Sequence, residues 1–225
     1  MRSIRTLFST GAVAVALAVA LPGSAAAIVG GRAAPATPWV VKVNQGDIVD
    51  CTGSVVAARW VLTARHCADE TAEATSVDVA GTEIAVDRKV VAPQGDVALL
   101  HLVTATTAMP VRLGTSDPVL STFPVGTMFG WGAEGPGGPI GVLLKSALVD
   151  VIGFYTDAHG GRTIGTSGST GAGWHGDSGG PLLVGGRLVG VASSVLGQDG
   201  SNPYAHTDFA SVAAHRGWIR TAAGV

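Results

Sequence analysis

From Trp39 onward the chain alternates short, valine-rich apolar runs with clusters of glycine, proline and polar residues. The first runs are Trp39–Val43, Ser54–Val56, Trp60–Thr63, Val77–Ala80, Glu83–Val91 and Val97–Val103. After Pro110 the rhythm resumes with Thr127–Trp131, Leu143–Ile152, Pro181–Val184 and Arg187–Ser194. Short runs bounded by turn residues predict the strands of a sandwich or barrel. No amphipathic helical stretch separates them, which argues against a parallel βαβ sheet. The tail differs. Across Asp208–Thr221, Phe209, Val212, Ala213, Trp218 and Ile219 recur at near-helical spacing and predict one closing helix. Thr104–Pro118, rich in Thr, Pro, Gly and Asp, reads as a connection between two halves. No internal repeat interrupts the pattern.

Composition sharpens this picture. The 33 glycines among 225 residues disfavour a helix-rich protein, because glycine costs about 0.8–1 kcal/mol per helical position relative to alanine. With 47% hydrophobic and only 13% charged residues, a disordered chain is excluded and a sizeable core is expected. A net charge of −2 leaves no basic footprint for nucleic acid and no polybasic membrane patch.

The amino terminus stands apart. Arg2 and Arg5 precede an apolar run, Gly11–Leu21, and Ala25-Ala26-Ala27 offers the small residues of a signal-peptidase site. The run is far shorter than the roughly 20 residues a membrane span needs. Residues 1–27 are therefore expected to be a signal peptide, the alternative being a buried apolar element, and the mature protein is expected to be secreted. Outside the cytoplasm, Cys51 and Cys67, the two cysteines of the chain, can pair into one disulfide. Closing such a loop contributes roughly 3 kcal/mol in the chain-entropy description. No metal site is expected. Asp69, Glu70 and Glu73 read as a solvated acidic turn rather than a calcium loop.

The most specific word in the chain is Gly176-Asp177-Ser178-Gly179-Gly180-Pro181. Alone it fits a glycine-rich turn, or the G-x-S-x-G elbow of α/β-hydrolases. It is accompanied by Val61-Leu62-Thr63-Ala64-Arg65-His66-Cys67, Asp96-Val97-Ala98-Leu99-Leu100 and Ile28-Val29-Gly30-Gly31. Together these resemble the chymotrypsin/trypsin-like serine protease family over residues 28–225. The order His66, Asp96, Ser178 matches that family, whereas an α/β-hydrolase runs Ser, Asp, His. Asp199 and His206, which follow Ser178, belong to no matching motif, and His101, His159 and His215 are read as structural or solvated.

The resemblance implies an all-β fold of two antiparallel six-stranded β-barrels with a C-terminal α-helix. The expected boundaries are 28–110 for the first barrel, 111–206 for the second, and 207–225 for the helix and tail. It implies Ser178 as nucleophile, His66 as base and Asp96 as its orienting carboxylate, with the Gly176 and Ser178 N–H groups as oxyanion hole. It also implies that a new Ile28 amine pairs with Asp177. Because Ala25-Ala26-Ala27 precedes Ile28, export itself is expected to create the active terminus.

Ala172 occupies the position whose carboxylate selects Arg or Lys in that family. Ser193 and Val195 fall on the substrate-binding edge strand, and Tyr204 on the opposite wall. These four imply a shallow apolar pocket for a small side chain. Thr52, Arg65 and Trp174 depart from common family residues. The expected function is a secreted serine endopeptidase, monomeric and cofactor-free, acting on polypeptides and restrained by a proteinaceous inhibitor. No nucleic acid and, after signal cleavage, no membrane is expected as partner. A protease-fold binding protein with an occluded pocket and an esterase of small acyl groups are the alternatives.

Overall fold

Thr75–Val79 alternates between buried and half-buried positions, with one face in a core, whereas Trp60–Thr63 is buried throughout. A computed structural model of the chain describes residues 28–69, 74–197 and 199–225. The expected signal peptide, and Glu70 and Glu73 of the acidic turn, lie outside the described residues.

Strand β1 (Arg32–Ala33) is followed by β2 (Val40–Gln45), β3 (Ile48–Ala57) and β4 (Trp60–Thr63). A one-turn helix, α1 (His66–Asp69), leads into β5 (Thr75–Val79), β6 (Thr82–Val91) and β7 (Ala98–Leu102). The second half holds β8 (Val125–Gly130), β9 (Lys145–Thr156), β10 (Arg162–Gly168), β11 (Pro181–Val184), β12 (Arg187–Leu196) and β13 (His206–Ser211). Helix α2 (Val212–Ala223) closes the chain. All strand pairings are antiparallel: β2-β3-β4-β7-β6-β5 closes on itself, and β9-β10-β13-β12-β11-β8 closes where β8 pairs β9. This is the chymotrypsin fold of two six-stranded barrels and a C-terminal helix. Among the described residues no helix is long and apolar enough to cross a membrane.

Val41, Val43, Val55, Leu62, Leu99 and Leu100 fill the first barrel. Met128, Val149, Ile164, Leu182 and Phe209 fill the second. Burying each such side chain contributes about 1.5–3 kcal/mol. The first core does not stop at its own barrel: Leu188, Val191, Ala210 and α2's Ile219 belong to it. The barrels therefore share an apolar boundary. The connection after β7 is fixed there too, Gly114 N–H donating to Leu188 O and Leu188 N–H to Arg112 O.

Four details differ from the pattern-based expectation. Residues 28–33 lie on the second barrel, since Val29 bridges Ala172 and Arg32 pairs Ser146 of β9. Strand β10 is apparent only in the fold; its buried positions include Thr163 and Thr166, which carry no apolar signal. The helix begins at Val212 rather than Asp208, because His206–Ser211 is clasped between β10 and β12. Ser211 then caps α2, its Oγ accepting from Ala214 N–H at 3.1 Å. Finally, α1 has no precedent in the periodicity. It carries Cys67, whose disulfide to Cys51 ties it to β3.

Candidate active site

His66 starts α1 beside that disulfide, and Asp96 sits just before β7. The disulfide and the adjoining strands fix both backbones, so the side chains meet without a flexible tether. His66 Nδ1 lies 2.8 Å from Asp96 Oδ2, and His66 N–H donates to Oδ1 at 3.1 Å. Ser193 Oγ donates to Oδ2 at 2.7 Å. Its position comes from a β-bulge: Ala192 pairs Phe209 and Ser194 pairs Asp208, leaving Ser193 as the extra residue. Burial pushes the Asp96 carboxyl upward. The His66 hydrogen bond and charge, with the Ser193 bond, outweigh burial and hold it below the ordinary value. Asp96 is therefore ionised at neutral pH, and holds the imidazole through Nδ1.

Ser178 lies across the barrel boundary in the 174–180 loop. Two contacts from β3 hold that loop: Thr52 N–H donates to Ser178 O at 2.8 Å, and Thr52 Oγ1 donates to Gly176 O at 2.8 Å. The departure Thr52 thus has a role, because its hydroxyl also accepts from Trp131 N–H. Gly176 and Gly179 adopt φ of +90° and +79°, which only glycine takes cheaply. A Cβ at Gly179 would collide with Thr63 Oγ1 and Thr52 O. His175 O accepts from Ala133 N–H at 2.8 Å. In a trans peptide the N–H opposes the C=O, so Gly176 N–H is turned away from Ala133. Among the described residues neither Gly176 N–H nor Ser178 N–H has a protein acceptor. Two such donors on one loop can receive an oxyanion.

Asp177, 2% exposed, lies under this loop. Its oxygens accept from Gly132 N–H and Trp174 N–H, both at 2.9 Å. Burial pushes its carboxyl up to about 7, against those two bonds and the Lys145 charge, which pull it down. Lys145, 5% exposed and paired with Glu134, has its ammonium shifted below the ordinary value by burial, while Asp177 opposes that shift. No ion pair joins Asp177 to Ile28 among the described residues. Ile28 is fully buried, with φ +61° and its carbonyl accepting from Gly31 N–H.

A cavity of about 200 Å³ opens beside Ser178, lined by Trp174, Ala192, Ser193, Val195 and Thr207 among others. Of the four residues expected at the specificity pocket, Ser193 and Val195 line this cavity, whereas Ala172 and Tyr204 do not. Ala172 is buried in a two-way backbone bridge to Val29, and Tyr204 is 65% exposed in the 202–205 turn. Thr207 lines the cavity, its Oγ1 accepting from Gly173 N–H at 3.1 Å. β13 is buried from Thr207 to Ser211, and polar Thr207, Asp208 and Ser211 hide that burial from a hydrophobicity pattern. Thr207, Lys145 and Asp157 stand in no motif that marks them in the sequence. The departure Arg65 pairs with Asp69, Nε to Oδ2 at 2.7 Å.

Comparison with known proteins bears on the family and the fold. A family model described as Trypsin matches residues 28–219. The chain is 31% identical to serine protease SP24D of Anopheles gambiae, covering 87% of this chain and 81% of that protein. It is 29% identical to bovine chymotrypsin-like elastase family member 1, covering 89% and 91%. The solved structure of mouse neuropsin, a serine protease, superposes with a TM-score of 0.74 at 25% identity, covering 86% of this chain and 99% of that one.

Proposed function

This chain belongs to the trypsin family of serine proteases and is a serine endopeptidase, and from that premise we propose that Ser178, His66 and Asp96 perform its chemistry. His66 Nε2 takes the Ser178 proton as Oγ attacks the scissile carbonyl. Asp96 holds Nδ1–H and stabilises the imidazolium. The Gly176 and Ser178 N–H groups receive the oxyanion of the tetrahedral intermediate. His66 then protonates the leaving amine, and the acyl-Ser178 ester is hydrolysed by a water that His66 deprotonates. The observation that carries this reading is the 2.8 Å contact of His66 Nδ1 with a buried, ionised Asp96.

The chain is exported and cut before Ile28. Before the cut, a β-branched residue is held at φ +61°, a conformation costing about 1–3 kcal/mol. Cleavage removes the preceding carbonyl and with it the steric restriction. The new amine then pairs with Asp177, converting a costly buried carboxyl into half of an ion pair. The primary pocket takes small apolar side chains. Its walls include Ala192, Val195 and Thr207, and both Asp177 oxygens are engaged by backbone N–H groups.

The test is intact-mass analysis of protein beginning at Ile28 after treatment with a serine-directed phosphonyl fluoride. One adduct on Ser178, abolished in Ser178→Ala and strongly slowed in His66→Ala, is expected. Correctly processed, disulfide-bonded protein that takes no adduct overturns the triad. A tag left ahead of Ile28 is expected to make the enzyme nearly inactive; equal activity overturns the activation step.

A further inference from the structure

The segment that presents Asp96 belongs to the first barrel, yet its contacts come largely from the second. The 157–161 turn between β9 and β10 lies against residues 94–96. Gln94 Nε2 donates to Gly160 O at 2.6 Å, and Gly95 N–H to His159 O at 3.2 Å. Gln94 O is met by His215 Nε2 of α2 at 2.9 Å. A Cβ on Gly161 would collide with Gly95 Cα, so the two backbones touch as closely as glycine permits.

One side chain organises this junction. Asp157 Oδ2 accepts from Asp96 N–H at 2.9 Å. Its Oδ1 accepts from His159 N–H at 2.8 Å and from Gly161 N–H at 2.9 Å. Three backbone donors thus converge on one carboxylate, two shaping the turn and one belonging to the residue that orients His66.

We infer that Asp157 is a positioning residue for catalysis: its carboxylate fixes the backbone of Asp96 from the opposite barrel, so the Asp96–His66 pair is aligned only when the barrels are docked. This rests on the triad reading above. The chemistry requires a carboxylate, because donors face both oxygens. An asparagine presents an NH₂ to one side, setting donor against donor either at Asp96 N–H or at the turn. Asp157 also adds negative charge to a cavity of about 550 Å³ whose ionisable lining is His66, Asp96, Tyr155, Asp157, His159 and Asp208. Asp208 is itself paired with His206. A nearby negative charge favours the imidazolium form of His66, so removing it moves the acid limb of the rate profile to lower pH.

The experiment compares wild type, Asp157→Asn and Asp157→Ala, each beginning at Ile28, well below their melting temperatures. Phosphonyl fluoride labelling of Ser178 is followed against pH, and kcat and KM are measured on a small-residue peptide substrate. Asp157→Asn is expected to lower kcat and the labelling rate about tenfold, with KM nearly unchanged. Its acid limb is expected to move to lower pH. A merely structural role would lower the melting temperature and leave the folded enzyme's kcat and labelling rate in place, while the acid limb reports only the lost charge. Folded Asp157→Asn with wild-type kcat and labelling rate overturns the inference. In wild type, slow hydrogen exchange at Asp96 N–H is expected, and fast exchange overturns the inference even if neither variant folds. Wild type that takes no label overturns the triad reading, and this inference with it. A labelled wild type with an indifferent variant overturns this inference alone.

Discussion

Asp96 is buried at little electrostatic cost because each oxygen is met by a donor. Removing the Ser193 hydroxyl deletes a hydrogen bond to a charged group, a loss of roughly 1.5–3 kcal/mol. Ser193→Ala is therefore expected to lower stability at neutral pH by that amount, measured by urea unfolding. Its acid response has a definite sign. The Asp96 carboxyl lies below its unfolded value, so its stabilisation is present above about pH 4 and lost as pH falls through the folded value. Without Ser193 the folded value rises, and the acid-unfolding midpoint is expected to rise with it. At Gly179 the constraint is steric: φ is +79° and a Cβ meets Thr63 and Thr52. Gly179→Ala is expected to destabilise by about 2–4 kcal/mol in thermal melts. At this scale the sequence words around His66, Asp96 and Ser178 suffice to nominate the residues, since short segments with a glycine or cysteine neighbour identify their own chemistry. Asp157 has no such neighbour, and its role depends on meeting a residue of the other barrel.

Helix α2 and strand β12 show how element ends are set. Ser211 Oγ accepts from Ala214 N–H and donates to Asp117, and Gly224 at φ +75° ends the helix. Ser211→Ala is expected to cost about 1 kcal/mol. That corresponds to a melting-temperature drop of about 2–4 °C for a chain of this size. The disulfide joins β3 to α1. Its removal by paired Cys51→Ala and Cys67→Ala is expected to cost about 2–5 kcal/mol and to slow Ser178 labelling, because α1 carries His66. Short continuous apolar runs, such as Trp60–Thr63 and Pro181–Val184, are legible from the sequence to the residue. β10 and β13 are not. Their buried threonines and Asp208 are made tolerable by partners that other strands supply, as when Thr166 Oγ1 donates to Thr207 O. The bulge at Ser193 is likewise invisible in a strand read alone.

For the whole molecule, the uncleaved chain and the processed one are expected to differ in their response to pH. In the chain with Ile28 still in peptide linkage, Asp177 titrates near 7, above its unfolded value. The folded state then binds the extra proton between about pH 4 and 7. Stability from this group is present below that window and is lost as pH rises through it. Urea unfolding of the uncleaved chain is expected to show this decline, Asp177→Asn to abolish it, and cleavage before Ile28 to reverse it. By itself, the sequence determined the all-β class, the disulfide partners, the order of the His66, Asp96 and Ser178 motifs and the family, because these depend on local periodicity and on residues adjacent in the chain. Only the tertiary structure decided that residues 28–33 join the second barrel, that Thr207 lines the cavity beside Ser178, and that Asp157 accepts from Asp96 N–H. Each of those joins residues distant in the chain. Their meeting is set by barrel closure and by the apolar boundary the two barrels share, which no local pattern encodes.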